Sequence, residues 1–186
     1  MKLVVGLGNP GPQYAKNRHN VGFMVIDELL RRAGASTTTK FKGEFARANV
    51  GRESVVLLKP QTFMNLSGIS VGLCASFFSI APEDTVVVHD ELDLEFGDVR
   101  IKKDGGHAGH NGLRSMFQNF APGTFGRVRV GIGRPNLQKP ADYVLSNFAG
   151  DELIDLGRIV DLSADAVRYV VEDGIDAAMN RINRKK

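Results

Sequence analysis

Residues Lys2–Arg32 read KLVVGLGNPGPQYAKNRHNVGFMVIDELLRR. Lys2 to Leu7 forms a short apolar strand, Gly8 to Pro12 a Gly/Pro loop, and Val21, Met24, Val25 and Leu29 recur at helical spacing up to Arg32, with Gly34 placed to close the helix. A strand that runs through a tight loop into an amphipathic helix is the opening of an α/β unit. Phe45 to Val50 and Ser54 to Leu58 read as two strands joined at Gly51-Arg52, and Pro60 closes the second. Asn65 to Ile80 keeps helical spacing despite Gly68 and Gly72. Thr85 to Val88 is β-branched and apolar, as a central strand requires; Val99 to Lys102 and Arg127 to Ile132 are further strands. Between the last two, the turn containing Gly105, Gly106, Gly109 and Gly112 feeds a helix over Leu113 to Phe120. Asp151 to Asn183 is helical in pattern and leads into a basic tail of Arg181, Arg184, Lys185 and Lys186. Alternation of this kind predicts one domain over residues 1–186, a three-layer α/β/α sandwich around a twisted mixed sheet. Tyr143 to Phe148, after Pro135 and Pro140, is the expected surface loop that covers a site.

The chain has 186 residues, 42% hydrophobic and 24% charged, which places it among ordinary globular domains and excludes wholesale disorder. Its one cysteine, Cys74, has no internal partner and lies among Val71, Phe77 and Phe78, where a buried thiol in a reducing compartment is expected. Leu3 to Val5 is too short for a signal-peptide apolar region, and no 18-residue apolar run occurs, so a cytoplasmic protein without a membrane segment is expected.

The net charge of +3 is unevenly spread. Eight of the 24 basic residues fall between Arg100 and Lys139, namely Arg100, Lys102, Lys103, Arg114, Arg127, Arg129, Arg134 and Lys139, against Asp104 as the only one of the 21 acids. The rest of the chain is therefore net negative. A localised positive segment is the footprint of a polyanion partner such as nucleic acid, because neutralised phosphates release counterions; a solvated basic face is the plainer alternative.

Gly6, Gly8 and Gly11 satisfy the G-x-G-x-x-G spacing of dinucleotide sites. The context fails the motif. Pro10 and Pro12 flank Gly11 and remove two N–H donors that a pyrophosphate needs, and Asp27 and Glu28 sit inside the helix rather than at the end of a second strand.

Polar residues gather instead at turns after strands: Asn9, then His19 and Asn20, Asn65, then His89, Asp90 and Glu91, then His107, His110 and Asn111. Beyond the carboxyl ends of an open sheet these turns converge, so Asn9, Asp90 and Asn111 are expected in one pocket. A histidine with an ordinary pKa of about 6.5 suits a general base. Asp90 can orient His19 and stabilise its imidazolium, and asparagine amides can donate to an oxyanion or place a water. With no G-x-S-x-G elbow and a buried Cys74, direct water attack is favoured over a covalent intermediate. The plainer readings are an N-cap for Asn65 and a turn residue for Asn9. A metal site from His107, His110, His89 and Asp90 is the competing use; no H-E-x-x-H occurs, and the acids Glu91, Asp93, Glu95 and Asp98 read as a solvated turn with Asp90 alone facing inward.

The runs VGLGNPGPQYAKNRHNVGF (residues 5–23), KPQTFMNLSG (59–68), VVHDELDLEFGDVRIK (87–102), GGHAGHNGL (105–113) and FGRVRVGIGRP (125–135) resemble the bacterial peptidyl-tRNA hydrolase family in order and spacing over essentially the whole chain. Ala108, where glycine is usual, is the departure in these loops. The resemblance implies a monomeric, single-domain enzyme without metal or organic cofactor, which hydrolyses the ester between a peptide and the 3′ ribose of tRNA and so recycles tRNA during translation. Matched motif by motif, it implies His19 as the base, Asp90 as its partner, and Asn9, Asn65 and Asn111 as groups that bind the peptide end or orient water and oxyanion. Tyr14, Phe63 and Met64 are implied to line the groove near the terminal adenosine and peptide, and Lys102 and Arg129 to clamp a tRNA phosphate. The rival reading is an RNA-binding protein on the same scaffold that carries out no hydrolysis.

Overall fold

The structure is a computed structural model that describes residues 1–184. Among these residues, seven strands form one mixed sheet: β1 (Lys2–Gly6), β2 (Thr38–Lys40), β3 (Gly43–Val50), β4 (Glu53–Pro60), β5 (Thr85–Glu91), β6 (Val99–Lys102) and β7 (Gly126–Gly131), in the order β2-β3-β4-β1-β5-β7-β6. β1 is parallel to both β4 and β5, and β5 is parallel to β7, whereas β2, β3 and β6 run antiparallel to their neighbours. The helices are α1 (Val21–Ala33), α2 (Ser67–Phe78), α3 (Asn111–Asn119), α4 (Pro140–Val144), α5 (Gly150–Asp173) and α6 (Ile175–Ile182). Among the described residues, no helix is long and apolar enough to cross a membrane.

Alternation along β1 splits its side chains between two cores. Val4 joins Val25, Ile26 and Leu29 of α1 and Val167, Val170 and Val171 of α5, with Ala178 of α6 at the same layer. Leu3 and Val5 face Val71 and Cys74 of α2 and Leu113 and Met116 of α3. The expected three-layer α/β/α sandwich is therefore observed. The Cys74 thiol is fully buried, and burial pushes its pKa up to about 12.

Several elements differ from the sequence reading, each for a tertiary reason. β5 continues through His89, Asp90 and Glu91, which pair with Arg129, Val130 and Gly131 of β7 rather than forming a turn. Asn65 sits in a 3-10 turn (Met64–Leu66) before α2, is exposed, and caps nothing; its helix begins at Ser67. The C-terminal helical pattern breaks at Gly174, whose φ of 85° ends α5 and starts α6. β2, an exposed edge strand without an apolar pattern, and the short α4 were not legible. Tyr143 and Val144 belong to α4, and Phe148 is buried rather than in a free loop. Of the basic tail, Lys185 and Lys186 lie outside the described residues.

The position of α1 is set by two glycines that are not about phosphate binding. A Cβ on Gly6 would lie 2.2 Å from the Gly22 carbonyl oxygen, and one on Gly22 would lie 2.5 Å from Val88 O and 2.6 Å from Leu7 N. Helix and strand ends touch backbone to backbone there, which draws the turn Arg18–Asn20 over the carboxyl ends of β1 and β5. Gly22→Ala should therefore destabilise the fold by about 1–3 kcal/mol through overpacking. Denaturant unfolding checks this, and an unchanged midpoint would show that the contact can relax.

Candidate active site

Asp90 ends the buried part of β5 and is 3% exposed, so its carboxylate needs partners from the protein. It has two, from opposite layers. His19, in the turn before α1, places Nδ1 at 2.9 Å from Oδ1 and 2.8 Å from Oδ2; His110, at the head of α3, places Nε2 at 2.9 Å from Oδ1. The tautomer of His110 follows from its other nitrogen. Nδ1 accepts from the backbone N–H groups of Gly112 and Leu113 at 3.1 and 3.3 Å, which makes the imidazole the N-cap of α3. Nδ1 thus carries no proton, and Nε2–H donates to Asp90.

Because Asp90 accepts only, His19 donates from Nδ1 and its Nε2 is left as a free acceptor among the described residues. Burial alone would lower the His19 pKa, but the charge and hydrogen bond of Asp90 outweigh it and raise it above the ordinary 6.5. For Asp90, burial opposes ionisation, and the two imidazoles hold the carboxyl well below the usual carboxylate range.

The same tautomer argument decides the metal reading. His19, Asp90 and His110 bring one potential ligand atom each within 4.8 Å of one another. Yet His110 Nδ1 is committed to the backbone N–H groups of α3, so the His110 nitrogen in that set carries the proton and donates it to the carboxylate, and it has no lone pair to offer a cation. The residues do not fit a metal. Nor do the other histidines join them: His107 Nδ1 accepts from Gly109 N, and His89 Nδ1–H donates to Asp90 O.

Asn9 and Asn20 form a second unit. Asn9 N donates to Asn20 Oδ1 and Asn20 Nδ2 donates to Asn9 O, both at 2.9 Å, while Asn9 Oδ1 accepts from Met64 N at 2.8 Å. With its oxygen committed, the Asn9 amide is left with its NH₂ free of a protein partner among the described residues. Asn9 is thus no ordinary turn residue.

Two cavities meet at His19. One, of about 310 Å³, is lined by His19, Asp90 and Asn111 with the cations Lys102, Arg127, Arg129 and Arg134. The other, of about 610 Å³, is lined by Asn9, His19, Met64, Asn65, Leu66 and Asn111. Val144 of α4 borders both. Asn9, Asp90 and Asn111 do converge, but across two chambers that share His19 and Asn111. Tyr14 and Phe63 line neither, and Phe63 is 57% exposed.

The basic segment is less bare than its count. Arg129 is paired with Glu91 at 3.0 Å, Arg134 with Asp93, and Lys103 with Asp176 at 3.3 Å, and Arg100 donates to Asn183 O. Lys102 lines the cationic chamber with no carboxylate partner among the described residues. Asp90 is the inward-facing acid of its run; Glu91 and Asp93 face these arginines. Ala108 adopts a φ of 49°, the left-handed region in which glycine is at ease, so the loop keeps its shape at the cost of local strain.

The sequence counted Asn20 and His110 among the polar residues at the strand ends, and His110 as a possible metal ligand, but gave neither a part in the hydrolytic machinery. The signal for His110 was available in principle, since a histidine directly before an amphipathic helix can cap it, but only the fold shows that its other nitrogen reaches Asp90.

His89 is 2% exposed, and burial, followed by the neighbouring His110, pushes its pKa down to about 3 from 6.5. The unfolded chain binds a proton in that window and the folded chain does not. The contribution of neutral His89 is intact above pH 6.5 and is lost as pH falls toward 3, at about 1.4 kcal/mol per pH unit. Unfolding free energies of wild type and His89→Gln from pH 7 to 4 should therefore diverge in slope, with the shallower slope in the variant; parallel slopes would sink this reading.

The peptidyl-tRNA hydrolase family model matches residues 3–186. The chain is 51% identical over 187 residues to a peptidyl-tRNA hydrolase of Anaeromyxobacter dehalogenans, covering 100% of this chain and 97% of the relative. It is 47% identical over 185 residues to that of Citrifermentans bemidjiense, covering 99% and 98%. The crystal structure of peptidyl-tRNA hydrolase from Acinetobacter baumannii superposes with a TM-score of 0.92 at 39% identity, covering 100% of this chain and 96% of that one. With an α/β/α sandwich that matches a solved member and a sequence match from near one end to the other, the chain belongs to the peptidyl-tRNA hydrolase family.

Proposed function

We propose that this protein hydrolyses the ester that joins a peptide, or an N-blocked aminoacyl group, to the 3′ ribose of tRNA, as a cytoplasmic monomer acting in translation. The observation that carries the reading is the place of His19, at the junction of a chamber that holds Lys102, Arg127, Arg129 and Arg134 and a chamber walled mainly by asparagines and apolar side chains, with Arg114 its one cation. A substrate that is a polyanion on one side of its scissile bond and a peptide on the other fits that division. A binding protein without hydrolytic activity has no use for an imidazole nitrogen held free by a buried carboxylate, and the matches lend that alternative no support.

In the proposed reaction, His19 Nε2 takes a proton from a water as its oxygen attacks the ester carbonyl carbon. Asp90 stabilises the resulting imidazolium through Nδ1–H, and His110 keeps the carboxylate in place. The NH₂ of Asn9 and the amide of Asn111 donate to the tetrahedral oxyanion or to the water. Collapse breaks the bond to the ribose oxygen, which takes the proton back from His19, and leaves a free peptide carboxyl and a tRNA 3′ hydroxyl. Met64 forms a wall of the peptide chamber and Asn65 offers an unoccupied amide to the peptide backbone, while Tyr14 and Phe63, which line neither chamber, meet the substrate only beyond them. Lys102 is the phosphate contact, joined by Arg129, whose guanidinium Glu91 orients. Every step of this reaction is assigned to side chains of the protein.

Release of N-blocked amino acids from tRNA by the purified protein should survive EDTA and fall about 10²- to 10⁴-fold in His19→Ala with the fold intact. Full activity in that variant removes His19 from the mechanism, and loss of activity in EDTA restores the metal reading. His19 must be neutral to act, so activity rises with pH through its elevated pKa. Asp90→Asn removes the cause of the elevation and should move that acidic limb to lower pH while lowering the plateau; an unmoved limb excludes the pair. Lys102→Ala should weaken tRNA binding and reduce the slope of log affinity against log salt by about 1, whereas an equal slope returns Lys102 to solvent.

A further inference from the structure

Arg127 is one of the eight basic residues of the positive segment, yet it is 2% exposed and pairs with no carboxylate among the described residues. Its guanidinium is spent on backbone. Nη1 donates to Gly106 O at 2.6 Å and Nη2 donates to Gly105 O, while Cζ lies 5.2 Å from the Phe125 ring centroid and 5.7 Å from that of Phe117. A cation that is taken out of water and hydrogen-bonded to two peptide carbonyls, with no carboxylate in contact among the described residues, is a demanding arrangement, and it fixes those carbonyls strongly.

The loop so held connects the two ends of the site. At Gly105, where φ is 130°, a Cβ would lie 2.7 Å from Lys102 Nζ, so the Lys102 side chain runs directly over this backbone. Gly123 braces the same carbonyl from outside, where a Cβ would lie 2.6 Å from Gly105 O. From Gly106 the chain passes through a turn closed by His110 N to His107 O at 2.9 Å and delivers His110 to Asp90 and Asn111 to the junction of the chambers. The glycines at 105, 106 and 109 leave this segment little stiffness of its own.

We propose that Arg127 is a positioning residue: by holding Gly105 and Gly106 it sets the distance between Lys102, at the phosphate end of the site, and His110 and Asn111, at the scissile end. Its place in the basic segment is thus not a phosphate contact. This inference rests on the hydrolase reading above for its kinetic consequence, but not for its structural one.

The test compares wild type, Arg127→Gln and Arg127→Lys on peptidyl-tRNA and on an N-blocked aminoacyl ester of adenosine that contains no phosphate, together with the imidazole nitrogen resonances of His110 in each protein. Arg127→Gln should lower kcat about tenfold to a hundredfold on both substrates, with KM for the adenosine ester changed by less than about twofold, and should shift the His110 resonances. Arg127→Lys keeps the charge but can reach only one carbonyl, so it should remain impaired on both substrates. If Arg127→Gln fails to fold, the lysine variant carries the comparison. A loss confined to KM for peptidyl-tRNA would make Arg127 a phosphate ligand and overturn the proposal. A lowered melting temperature with unchanged kcat, or a lysine variant equal to wild type, would overturn it as well. If the wild-type protein shows no turnover on either substrate, the hydrolase reading fails, and the His110 resonances decide this inference alone: unmoved in the variants, they overturn it.

Discussion

The Asp90 carboxylate is the constraint around which the rest of the site is arranged. An ionised carboxylate at 3% exposure stands only if the protein supplies its hydrogen bonds, and here they come from His19 on the α1 side of the sheet and His110 on the α3 side. The two helical layers are therefore tied together through one side chain at the end of the central strand. Each imidazole has only one orientation compatible with this: His110 because its Nδ1 caps α3, His19 because the contact between Gly6 and Gly22 presses its turn onto the strand ends.

Electrostatically the cluster is built around one carboxylate that accepts from two imidazoles. Adding a proton to His19 neutralises the pair, which is why burial, although it opposes any charge on that ring, loses to Asp90. His89, one residue before Asp90 and packed edge-on against His110 at 5.1 Å between ring centroids, shows what happens without such a partner: its pKa is pushed down to about 3. Two histidines within one site thus differ in charge preference because one faces a carboxylate and the other is buried beside a second imidazole and the Arg127 guanidinium.

The walls of the site are held by polar contacts rather than by bulk. Arg18 donates to Asn147 O at 2.8 Å and to Glu152 at 2.7 Å, and its guanidinium lies 4.1 Å from the Tyr143 ring centroid, so the segment that follows α4 is fastened to the residue beside His19. Asn17 Nδ2 adds a 2.8 Å bond to Asn147 Oδ1. The border of the two chambers is therefore ordered by the same turn that presents the imidazole.

By itself the sequence determined the layer architecture, because strand-period and helix-period apolar patterns in Lys2–Arg32 and Thr85–Val88 have few ways to be buried together. It also determined the failure of the dinucleotide motif, since prolines at 10 and 12 lack N–H groups in any fold. The candidates His19, Asp90, Asn9, Asn65 and Asn111 were legible as polar residues at strand ends and in family motifs. Only the tertiary structure decided what each nitrogen and oxygen does. That His110 donates to Asp90, that Asn9 presents its NH₂, that Asn65 caps nothing, and that the buried Arg127 grips backbone while Lys102 faces a cavity all depend on contacts between residues distant in the chain. Periodicity reports which face of an element is apolar; the direction and partner of a hydrogen bond are fixed only when two elements are packed against each other.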